Sequence, residues 1–478
     1  MERLNKIGKI AILTSKEVPF SRIGIGFEKL DRAVFDPNKA YDLVGALGVK
    51  KIRLQSGWAR TEKEKGVYDF SWLSGIVDEL LSRGLEPWIC LCYGNALYDE
   101  RAAKVFGAVG CPPIFSEEQK SAWHDYVVAL VSAFSDRVKE WEIWNEPDGR
   151  WCWKHGPSAS EYAAFSVDTA KAIREADPGA YVIGGAVTYR SINYISEAMA
   201  CGLGEVVDGL SFHEYTAREE TVFERVRAFK SLAREYNPKI EIIQGESGSQ
   251  SRSDGCGALV GGSWTPRRQA KQLLRHETAD MMTDVKFSSY FSAIDMIEAL
   301  NGAVGDKASY LDYGYFGVIG AEFDENGIST GTYSPKPSYY ALQNVAALFA
   351  GDVVPTDLPV MQMPAHSPRL FHPDLGGCSL ISGGFVRPEN GAKAFAYWFP
   401  ADLMTTDFES TITFEIAVKN LDTGKIRLVD PMDGSVYEIP DSVMKPAANG
   451  TVLRFEHLPV RDYPLFLTFG DFVGVTEE

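Results

Sequence analysis

Short apolar runs alternate with amphipathic stretches between about residues 21 and 350 of this chain. The apolar runs have the length of strands, and apolar residues recur at helical spacing in the stretches between them. The predicted strands are 23–27, 51–55, 87–93, 141–146, 181–186, 207–215, 240–246 and 285–294. The predicted helices are 39–47, 71–83, 116–134, 160–175, 221–236, 266–283 and 336–349. This alternation predicts parallel strands joined by helical crossovers.

Eight strands, nearly all followed by a helix, indicate an α/β fold, a (β/α)8 TIM barrel with inserted loops. The alternative is a doubly wound open sheet, but no Gly-rich nucleotide-binding motif follows a strand to support it. After residue 349 the helical spacing gives way to short alternating runs at 394–398, 411–417, 425–429 and 452–455. They predict a C-terminal antiparallel β-sandwich.

Three segments follow from these patterns. The barrel is predicted at 21–350 and the sandwich at 351–478. The N-terminal segment 1–20 contains a strand-like run at 7–13 that we expect to pair into the sandwich. The sandwich would then be built from both ends of the sequence and pack on the flank of the barrel.

Composition narrows the class of protein only a little. The chain has 478 residues, 45% of them hydrophobic and 24% charged, which is ordinary for a soluble globular protein. A formal net charge of −17 repels phosphate backbones and argues against nucleic acid as a partner. No run of apolar residues is long enough to cross a membrane. The N-terminus does not have the pattern of a signal peptide, and the seven scattered cysteines suit a reducing cytoplasm, where we expect this protein.

The motif WEIWNEP at 141–147 carries the first candidate chemistry. Pro147 cannot donate to a sheet ladder, so the strand should end there, with Asn145 and Glu146 at its C-terminal end. Barrels of parallel strands perform their chemistry at that end, and a carboxyl group there can act as a proton donor. The alternative is a surface glutamate in a loop that the proline ends.

A second carboxylate occupies the same place on another strand. Glu246 closes the seventh predicted strand as Glu146 closes the fourth, and three β/α units of ordinary length separate them. Two glutamates at one barrel mouth can flank a glycosidic bond, and in a retaining glycosidase the pair sits about 5 Å apart. One protonates the leaving oxygen, and the other attacks the anomeric carbon.

These motifs together resemble a known group of enzymes. Asn-Glu-Pro at 145–147, His-x-Tyr at 213–215, Gly-Glu at 245–246 and Arg53 on the second strand resemble the retaining glycoside hydrolases of clan A. With the segment VKKIRLQSGWARTEKEKGVYDFSWL and the trailing sandwich, the chain looks most like glycoside hydrolase family 39. That family is known for β-xylosidases and related exo-acting enzymes, and families 5 and 51 share much of the pattern.

The resemblance implies a role for each matching residue. Glu146 would be the acid/base and Glu246 the nucleophile, with Asn145 bound to the 2-hydroxyl of the sugar. Arg53 would keep Glu246 ionised, since a nearby cation lowers a carboxylate pKa. The alternative for Arg53 is a structural ion pair within the barrel mouth.

His213 and Tyr215 share one face of the sixth strand, because residues i and i+2 point the same way. The resemblance implies that Tyr215 donates to Glu246 and orients it, with His213 beside it in the substrate site. The alternative is that both are core polar residues with satisfied hydrogen bonds.

The loops suggest further sugar contacts, because aromatic faces stack on sugar rings while amides and charges bind hydroxyls. The predicted substrate-binding residues of the loops are Trp151, Trp153, Gln250 and Trp264. Weaker candidates follow the third strand at Tyr93, Asn95 and Tyr98. The alternative is that these are solvent-exposed loops with incidental aromatic residues.

The eighth strand departs from the family pattern. Many clan members place a tryptophan there as a floor for the sugar, whereas this chain offers Tyr290, Phe291 and Asp295. Asp295 is predicted to hydrogen-bond a sugar hydroxyl instead. The identity of the bound monosaccharide, and with it a xylosidase activity, stays open.

Cys90-x-Cys92 does not predict a metal site, because both thiols would lie on one buried strand face and no second Cys or His pair has ligand spacing. Catalysis by two glutamates needs no metal or cofactor. The sequence therefore predicts a retaining glycoside hydrolase with a carbohydrate substrate, exo-acting on short oligosaccharides or glycosides. A homo-oligomer is compatible with this prediction. The alternatives are an endo-acting glycanase of family 5 type and a non-catalytic carbohydrate-binding barrel.

Overall fold

A closed barrel of eight parallel strands forms the centre of the protein in the computed structural model, which describes residues 4–103, 108–188, 191–298, 313–362, 380–403 and 405–477. The barrel strands, from the first to the eighth in chain order, are Ile23–Gly26, Lys51–Gln55, Glu86–Leu91, Glu140–Ile143, Tyr181–Thr188, Gly209–Glu214, Glu241–Ser247 and Ser288–Tyr290. Every neighbouring pair is parallel, and the eighth strand pairs with the first. The predicted TIM barrel is confirmed.

Helices surround the barrel where the apolar spacing predicts them. The longer ones are Ser71–Ser82, Glu117–Phe134, Ala159–Ala176, Val222–Tyr236, Pro266–Met282 and Pro337–Leu348. Shorter ones are Tyr41–Gly45, Trp58–Thr61, Ile192–Ala198 and Gly204–Val206. Side-chain oxygens of Ser116, Ser158 and Thr265 cap three of the long helices by accepting a backbone N–H of the first turn. Within the described ranges, no helix has both the length and the apolar character needed to cross a membrane.

Several barrel strands end earlier than the sequence predicts, and the fourth and the eighth differ most. The fourth strand stops at Ile143, because Trp144 turns into the left-handed region at φ 64°. The eighth strand is shorter than predicted and consists of Ser288–Tyr290. Asn145 and Glu146 therefore lie just beyond a strand end rather than on it, which frees their side chains to face the barrel mouth.

The C-terminal part folds into two antiparallel sheets. In sheet order the larger one contains Val354–Thr356, Ile381–Val386, Lys393–Trp398, Leu465–Phe469, Ile426–Asp430, Ser435–Glu438, Asn5–Ile10 and Val475–Thr476. The smaller one contains Val360–Gln362, Ser410–Ala417, Val452–Val460 and Met444–Ala447. The Phe395 and Phe414 rings contact each other between the sheets at 5.3 Å. This β-domain includes the N-terminal strand Asn5–Ile10, which pairs with strands from the far end of the sequence.

The β-domain packs on helix Pro266–Met282 of the barrel. Lys271 of that helix forms a buried ion pair with Asp462 at 2.9 Å. Arg275 donates to the carbonyl oxygen of Ala401 at 2.7 Å. Buried polar contacts of this kind fix one orientation of the two parts, because a shift would leave charges unpaired in the interior.

Three short antiparallel strand pairs lie within the loops of the barrel. They pair Glu62–Glu64 with Val67–Tyr68, Met296–Ile297 with Tyr313–Gly314, and Ile319–Phe323 with Ser329–Pro335. The last two follow the eighth strand and give order to part of a long loop that the sequence left without assigned structure.

Candidate active site

A bulge at the end of the seventh strand places Glu246 in the barrel mouth. The register against the sixth strand shifts between Gln244 and Glu246, and a bulge of this kind redirects the side chain that follows it. Gly245 lies within the bulge, and a Cβ atom there would collide with the hydroxyl of Ser211. The sequence Gln-Gly-Glu thus provides both the irregular register and the space that the irregularity needs.

Glu246 is held as an anion by three neighbours. Arg53 Nη1 donates to its Oε2 at 2.6 Å, the Tyr215 hydroxyl donates to its Oε1, and His213 Nδ1 lies 3.8 Å from Oε2. Burial by itself would raise the pKa of Glu246. The charges of His213 and Arg53 and the hydrogen bond from Tyr215 outweigh that effect, so the pKa is lowered below its ordinary value. An ionised carboxylate is the form that can act as a nucleophile.

Glu146 has different surroundings. Its Oε1 lies 3.0 Å from His213 Nδ1, and its Oε2 accepts a hydrogen bond from the indole of Trp151. Its own backbone is left-handed at φ 43°, a conformation that is uncommon outside glycine and found at functional sites. In the described part of the chain, neither arginine nor lysine forms an ion pair with this carboxyl group, unlike Glu246.

The distance between the two glutamates fits one of the two known glycosidase geometries. A carboxylate oxygen of Glu146, one of Glu246 and a ring nitrogen of His213 all lie within 4.8 Å of one another. Carboxyl groups about 5 Å apart characterise retaining enzymes, whereas inverting enzymes leave roughly 6.5–9.5 Å for a water molecule. The spacing is therefore that of a retaining enzyme and favours direct attack by one of the carboxylates.

His213 bridges the two carboxylates from the sixth strand. Burial lowers its pKa, but the charge of Glu246 and the contact with Glu146 raise it more, so the net shift is upward. A charged imidazole between two carboxyl groups keeps both of them in place. The side chain is 1% exposed, so this bridge forms away from bulk solvent.

Arg53 organises the base of the site from the second strand. Its Nη2 donates to Asn145 Oδ1 at 2.8 Å, and its Nε donates to Glu142 Oε2 at 3.0 Å. Arg53 and Glu142 are both fully buried. One guanidinium thus connects the nucleophile candidate, the amide beside Glu146 and a carboxylate inside the barrel.

Removing this cation should destabilise the fold. In Arg53→Met the carboxylates of Glu142 and Glu246 lose their cation in the interior, and a broken buried ion pair costs roughly 3–5 kcal/mol. We expect urea unfolding at neutral pH to show a loss of that size. The loss should shrink toward acid pH. Arg53 helps to lower the pKa of Glu246, and this contribution to the stability of the wild type disappears as Glu246 is protonated.

Lys65→Met is the control for that substitution. Lys65 forms an exposed ion pair with Glu118, and such pairs contribute about 1 kcal/mol or less. Equal losses in both variants would contradict the organising role of Arg53.

A cavity of about 630 Å³ opens over the two glutamates. Of the residues that the sequence predicted for the site, those on its wall are Asn145, Glu146, Trp151, His213, Tyr215 and Glu246. Arg53 lies directly beneath them. Trp151 is 47% exposed, so one face of its ring is free for a ligand. The volume is that of a small-molecule pocket.

Trp153 and Trp264 do not line this cavity. Trp153 is fully buried and packs against Trp144, with ring centroids 6.2 Å apart. Trp264 is 4% exposed, and its indole donates to the Leu259 carbonyl at 2.9 Å. Both predicted sugar contacts are instead core residues that anchor their own loops, because a large apolar ring gains more from burial than from a loop surface.

Gln250 and Asp295 are also directed away from the cavity. Gln250 donates to the Cys256 carbonyl at 2.7 Å and accepts from Tyr315 N at 2.9 Å, so its amide joins two loops. Asp295 is buried and pairs with Lys336 at 2.7 Å. Burial raises the pKa of Asp295 to about 6 although Lys336 opposes the shift. These side chains hold the loops and do not line the cavity.

Among the weaker candidates, some line the cavity and others do not. Tyr93 and Phe291 line the cavity. Tyr290 is fully buried and donates to Gln272 at 2.9 Å. Asn95 and Tyr98 both bind Glu62, away from the cavity wall. Phe291 thus occupies the aromatic position on the eighth strand side of the cavity.

Sequence reasoning missed a polar group on the opposite wall. Its members are Glu28, Lys29, Arg32, Gln55 and Glu298. Lys29 pairs with Glu298 at 2.8 Å, and Gln55 Oε1 accepts from the backbone N–H of Lys29 at 3.1 Å. A tight 3-10 turn, Leu30–Arg32, with a left-handed residue on each side, brings this charged segment to the cavity. Left-handed residues other than glycine have no clear signature in a single sequence, so no pattern marked the turn.

Among the described residues, the group with metal-ligand spacing is Glu146, His213 and Glu246. Arg53, 2.6 Å from Glu246, already supplies the positive charge that a metal ion would bring there. Cys90 and Cys92 are buried, and the Cys90 thiol contacts the Trp144 carbonyl at 3.1 Å. The geometry suits two carboxylates working with an arginine.

Fold and site together define a class of protein. It is a TIM barrel with a β-domain beside it and a close pair of glutamates, one just after the fourth strand and one at the end of the seventh. Residues 45–238 match the family model for glycosyl hydrolases family 39. The resemblance to that family, inferred from the motifs, is confirmed.

Solved structures share this architecture at low sequence identity. One is a family 39 glycoside hydrolase from the gut symbiont Bacteroides cellulosilyticus WH2, with a TM-score of 0.63, 17% identity and coverage of 96% of this chain and 82% of that one. Another is a monomeric beta-xylosidase from Caulobacter crescentus CB15, with a TM-score of 0.58, 16% identity and coverage of 97% of both chains. At these identities the likeness concerns the fold.

The chain is also similar to part of a longer protein. Beta-galactosidase BgaA of Clostridium cellulovorans is 27% identical over 152 residues, a match that covers 27% of this chain and 22% of that protein. The match thus spans about a fifth of the length of this relative.

Proposed function

We propose that this protein is a retaining glycoside hydrolase that acts by double displacement, with Glu246 as nucleophile and Glu146 as acid/base. The observation that carries the proposal is the close spacing of the two carboxylates combined with their unequal surroundings. Glu246 has Arg53 and Tyr215 to keep it ionised. Glu146 contacts His213 and the exposed Trp151 at the open side of the cavity, where a leaving group would depart.

In the first step, Glu246 attacks the anomeric carbon and forms a covalent ester. Glu146 gives its proton to the glycosidic oxygen, and the bond to the leaving group breaks with its electron pair on that oxygen. Asn145, held by Arg53, is placed to bind the 2-hydroxyl of the sugar.

In the second step, water replaces the leaving group. Glu146, now ionised, removes a proton from the water as it attacks the anomeric carbon. The ester bond breaks, and Glu246 returns to its carboxylate form. Two inversions give net retention, and Arg53 and Tyr215 again stabilise the released anion.

The proposed substrates are β-linked, or α-L-pyranosidic, glycosides and short oligosaccharides that are cleaved from one end. Support for this choice comes from the similar proteins that are described as a beta-xylosidase and a beta-galactosidase. The cavity of about 630 Å³ would hold one or two sugar units, which also suits exo action.

Cleavage of a nitrophenyl glycoside panel tests the proposal. The panel contains β-xyloside, β-glucoside, β-galactoside, β-mannoside, β-glucuronide and α-arabinopyranoside. We expect turnover of at least one of them, and NMR of the fresh product should show the retained anomer before mutarotation. Release of the inverted anomer would rule out the double displacement. Cleavage restricted to internal bonds of polymers would favour the endo-acting alternative, and saturable sugar binding without cleavage would favour a non-catalytic barrel.

A further inference from the structure

We propose that Glu28 is a positioning residue of this site, whose carboxyl group competes with Glu246 for the same nitrogen of Arg53. When Glu28 is neutral, Arg53 holds the nucleophile. When Glu28 is ionised, Arg53 interacts with two anions and binds Glu246 less firmly. This inference rests on the proposed function, because it assigns the role of nucleophile to Glu246.

The competition is visible in the contacts of Arg53. Nη1 of Arg53 lies 2.6 Å from Glu246 Oε2 and 3.3 Å from Glu28 Oε1. Glu28 follows the first barrel strand, lies on the cavity wall and is 1% exposed. Its second oxygen, Oε2, is buried and has no hydrogen-bond partner among the described residues. Arg53 thus binds Glu28 more weakly than it binds Glu246.

The charges around Glu28 come from four barrel strands and the turn after the first strand. They are Arg53 on the second strand, Glu142 and Glu146 on and after the fourth, His213 and Tyr215 on and after the sixth, Glu246 on the seventh, and Lys29 on the turn. Arg53 alone contacts three carboxylates, those of Glu28, Glu142 and Glu246. One guanidinium cannot neutralise three buried anions, so the least firmly held carboxyl group should keep its proton.

Glu28 therefore gains or loses its proton within the pH range in which an enzyme works. Burial raises the pKa of Glu28, Arg53 lowers it and the charge of Glu246 raises it again, which brings the pKa to about 7. Below that pH the neutral carboxyl group leaves Nη1 to Glu246. Above it, the new anion attracts the guanidinium and loosens the nucleophile, so activity should fall for a reason separate from the acid/base.

A substrate whose leaving group needs no proton isolates this effect. With a dinitrophenyl glycoside, kcat/KM reports the first step without help from Glu146. We expect kcat/KM of the wild type to fall roughly tenfold between about pH 6 and pH 8, the size of a partly lost charge-assisted hydrogen bond. In Glu28→Gln, which copies the neutral carboxyl group, kcat/KM should stay near the wild-type acid value across that range.

Three results would overturn the proposal. A wild-type profile that is flat across this range would mean that Glu28 does not titrate there or does not affect the nucleophile. A fall that persists in Glu28→Gln would assign the transition to another group, such as His213. A Glu28→Gln enzyme that folds but is inactive at every pH would mean that the ionised form is required. If Glu28→Gln fails to fold, the pH profile of the wild type can still overturn the proposal, because a flat profile would do so by itself.

A second measurement separates this inference from the proposed function. The infrared band of protonated carboxylic acids should lose one group between about pH 6 and pH 8 in the wild type and not in Glu28→Gln. The difference between the two proteins removes the signals of Glu219 and Glu277, whose pKa values burial raises to about 7 and about 8. Loss of this band without any glycoside turnover would leave the titration of Glu28 standing and reject the proposed function. Absence of the band difference would reject the role of Glu28, whatever the enzyme cleaves.

Discussion

Glu246→Ala should lower glycoside turnover by roughly 10⁴-fold or more, because an enzyme without its nucleophile keeps only binding and electrostatic contributions. Binding should survive, since Arg53 keeps its contacts with Glu142 and Asn145. We therefore expect a folded protein that binds a glycoside and does not cleave it. Turnover of the best substrate from the nitrophenyl panel and the affinity for that glycoside measure the two parts of this expectation.

Azide should restore part of the activity of this variant in a diagnostic way. The missing carboxylate leaves space on the face of the sugar opposite the leaving group, and an azide ion can attack from there. A β-glycoside would then give an α-glycosyl azide, with one inversion instead of two. NMR of the isolated product identifies the anomer, which no general effect on folding could alter.

Glu241→Ala is the control for that experiment, because it lies at the opposite end of the same strand and forms an exposed pair with Lys286. It should keep wild-type turnover. Full activity in Glu246→Ala, or loss of activity that azide does not restore while the protein stays folded, would remove Glu246 from the role of nucleophile.

The second large effect is expected in Glu146→Ala, and its size should depend on the leaving group. General acid catalysis contributes about 10²–10⁴-fold, so glycosides with poorly leaving alcohols should lose that much in kcat/KM. A dinitrophenyl glycoside needs no proton, so its kcat/KM should remain near the wild-type value. Its kcat should fall, because the ester on Glu246 then awaits a water molecule that no base activates.

Azide distinguishes this variant from the first. It should attack the accumulated ester from the side that Glu146 vacates and give a β-glycosyl azide from a β-glycoside, with retention. Steady-state turnover with and without azide, over a series of leaving groups, measures the expected pattern. An equal loss for good and poor leaving groups would contradict the assignment of Glu146 as the acid.

The barrel could be predicted because its information is local and periodic. The second strand, Lys51–Gln55, has the predicted bounds, since apolar residues and turn signals define both of its ends. The predicted fourth strand is too long, because Trp144 and Glu146 adopt left-handed backbone conformations that tertiary contacts impose. Strand propensity alone cannot detect such a bend.

The site was predictable where residues sit at strand ends and less so in loops. Glu146, His213 and Glu246 meet because a closed barrel brings the ends of its strands to one mouth. Trp153 and Trp264 were expected at the surface of the site, but they fill the interior of their loops. Whether a loop aromatic residue faces a ligand or the core depends on contacts distant in sequence, as does the position of Lys29 opposite Glu298.

The strand Asn5–Ile10 has a consequence for how the chain is made. The whole barrel lies in sequence between this strand and its partners Ser435–Glu438 and Val475–Thr476, so the partners leave the ribosome long after it. The barrel can close while this segment is still unpaired. Unpaired strand edges are the places where nascent chains associate wrongly. The β-domain can be completed only after these later strands have been made. Its last step pairs segments of high sequence separation and should therefore be slow.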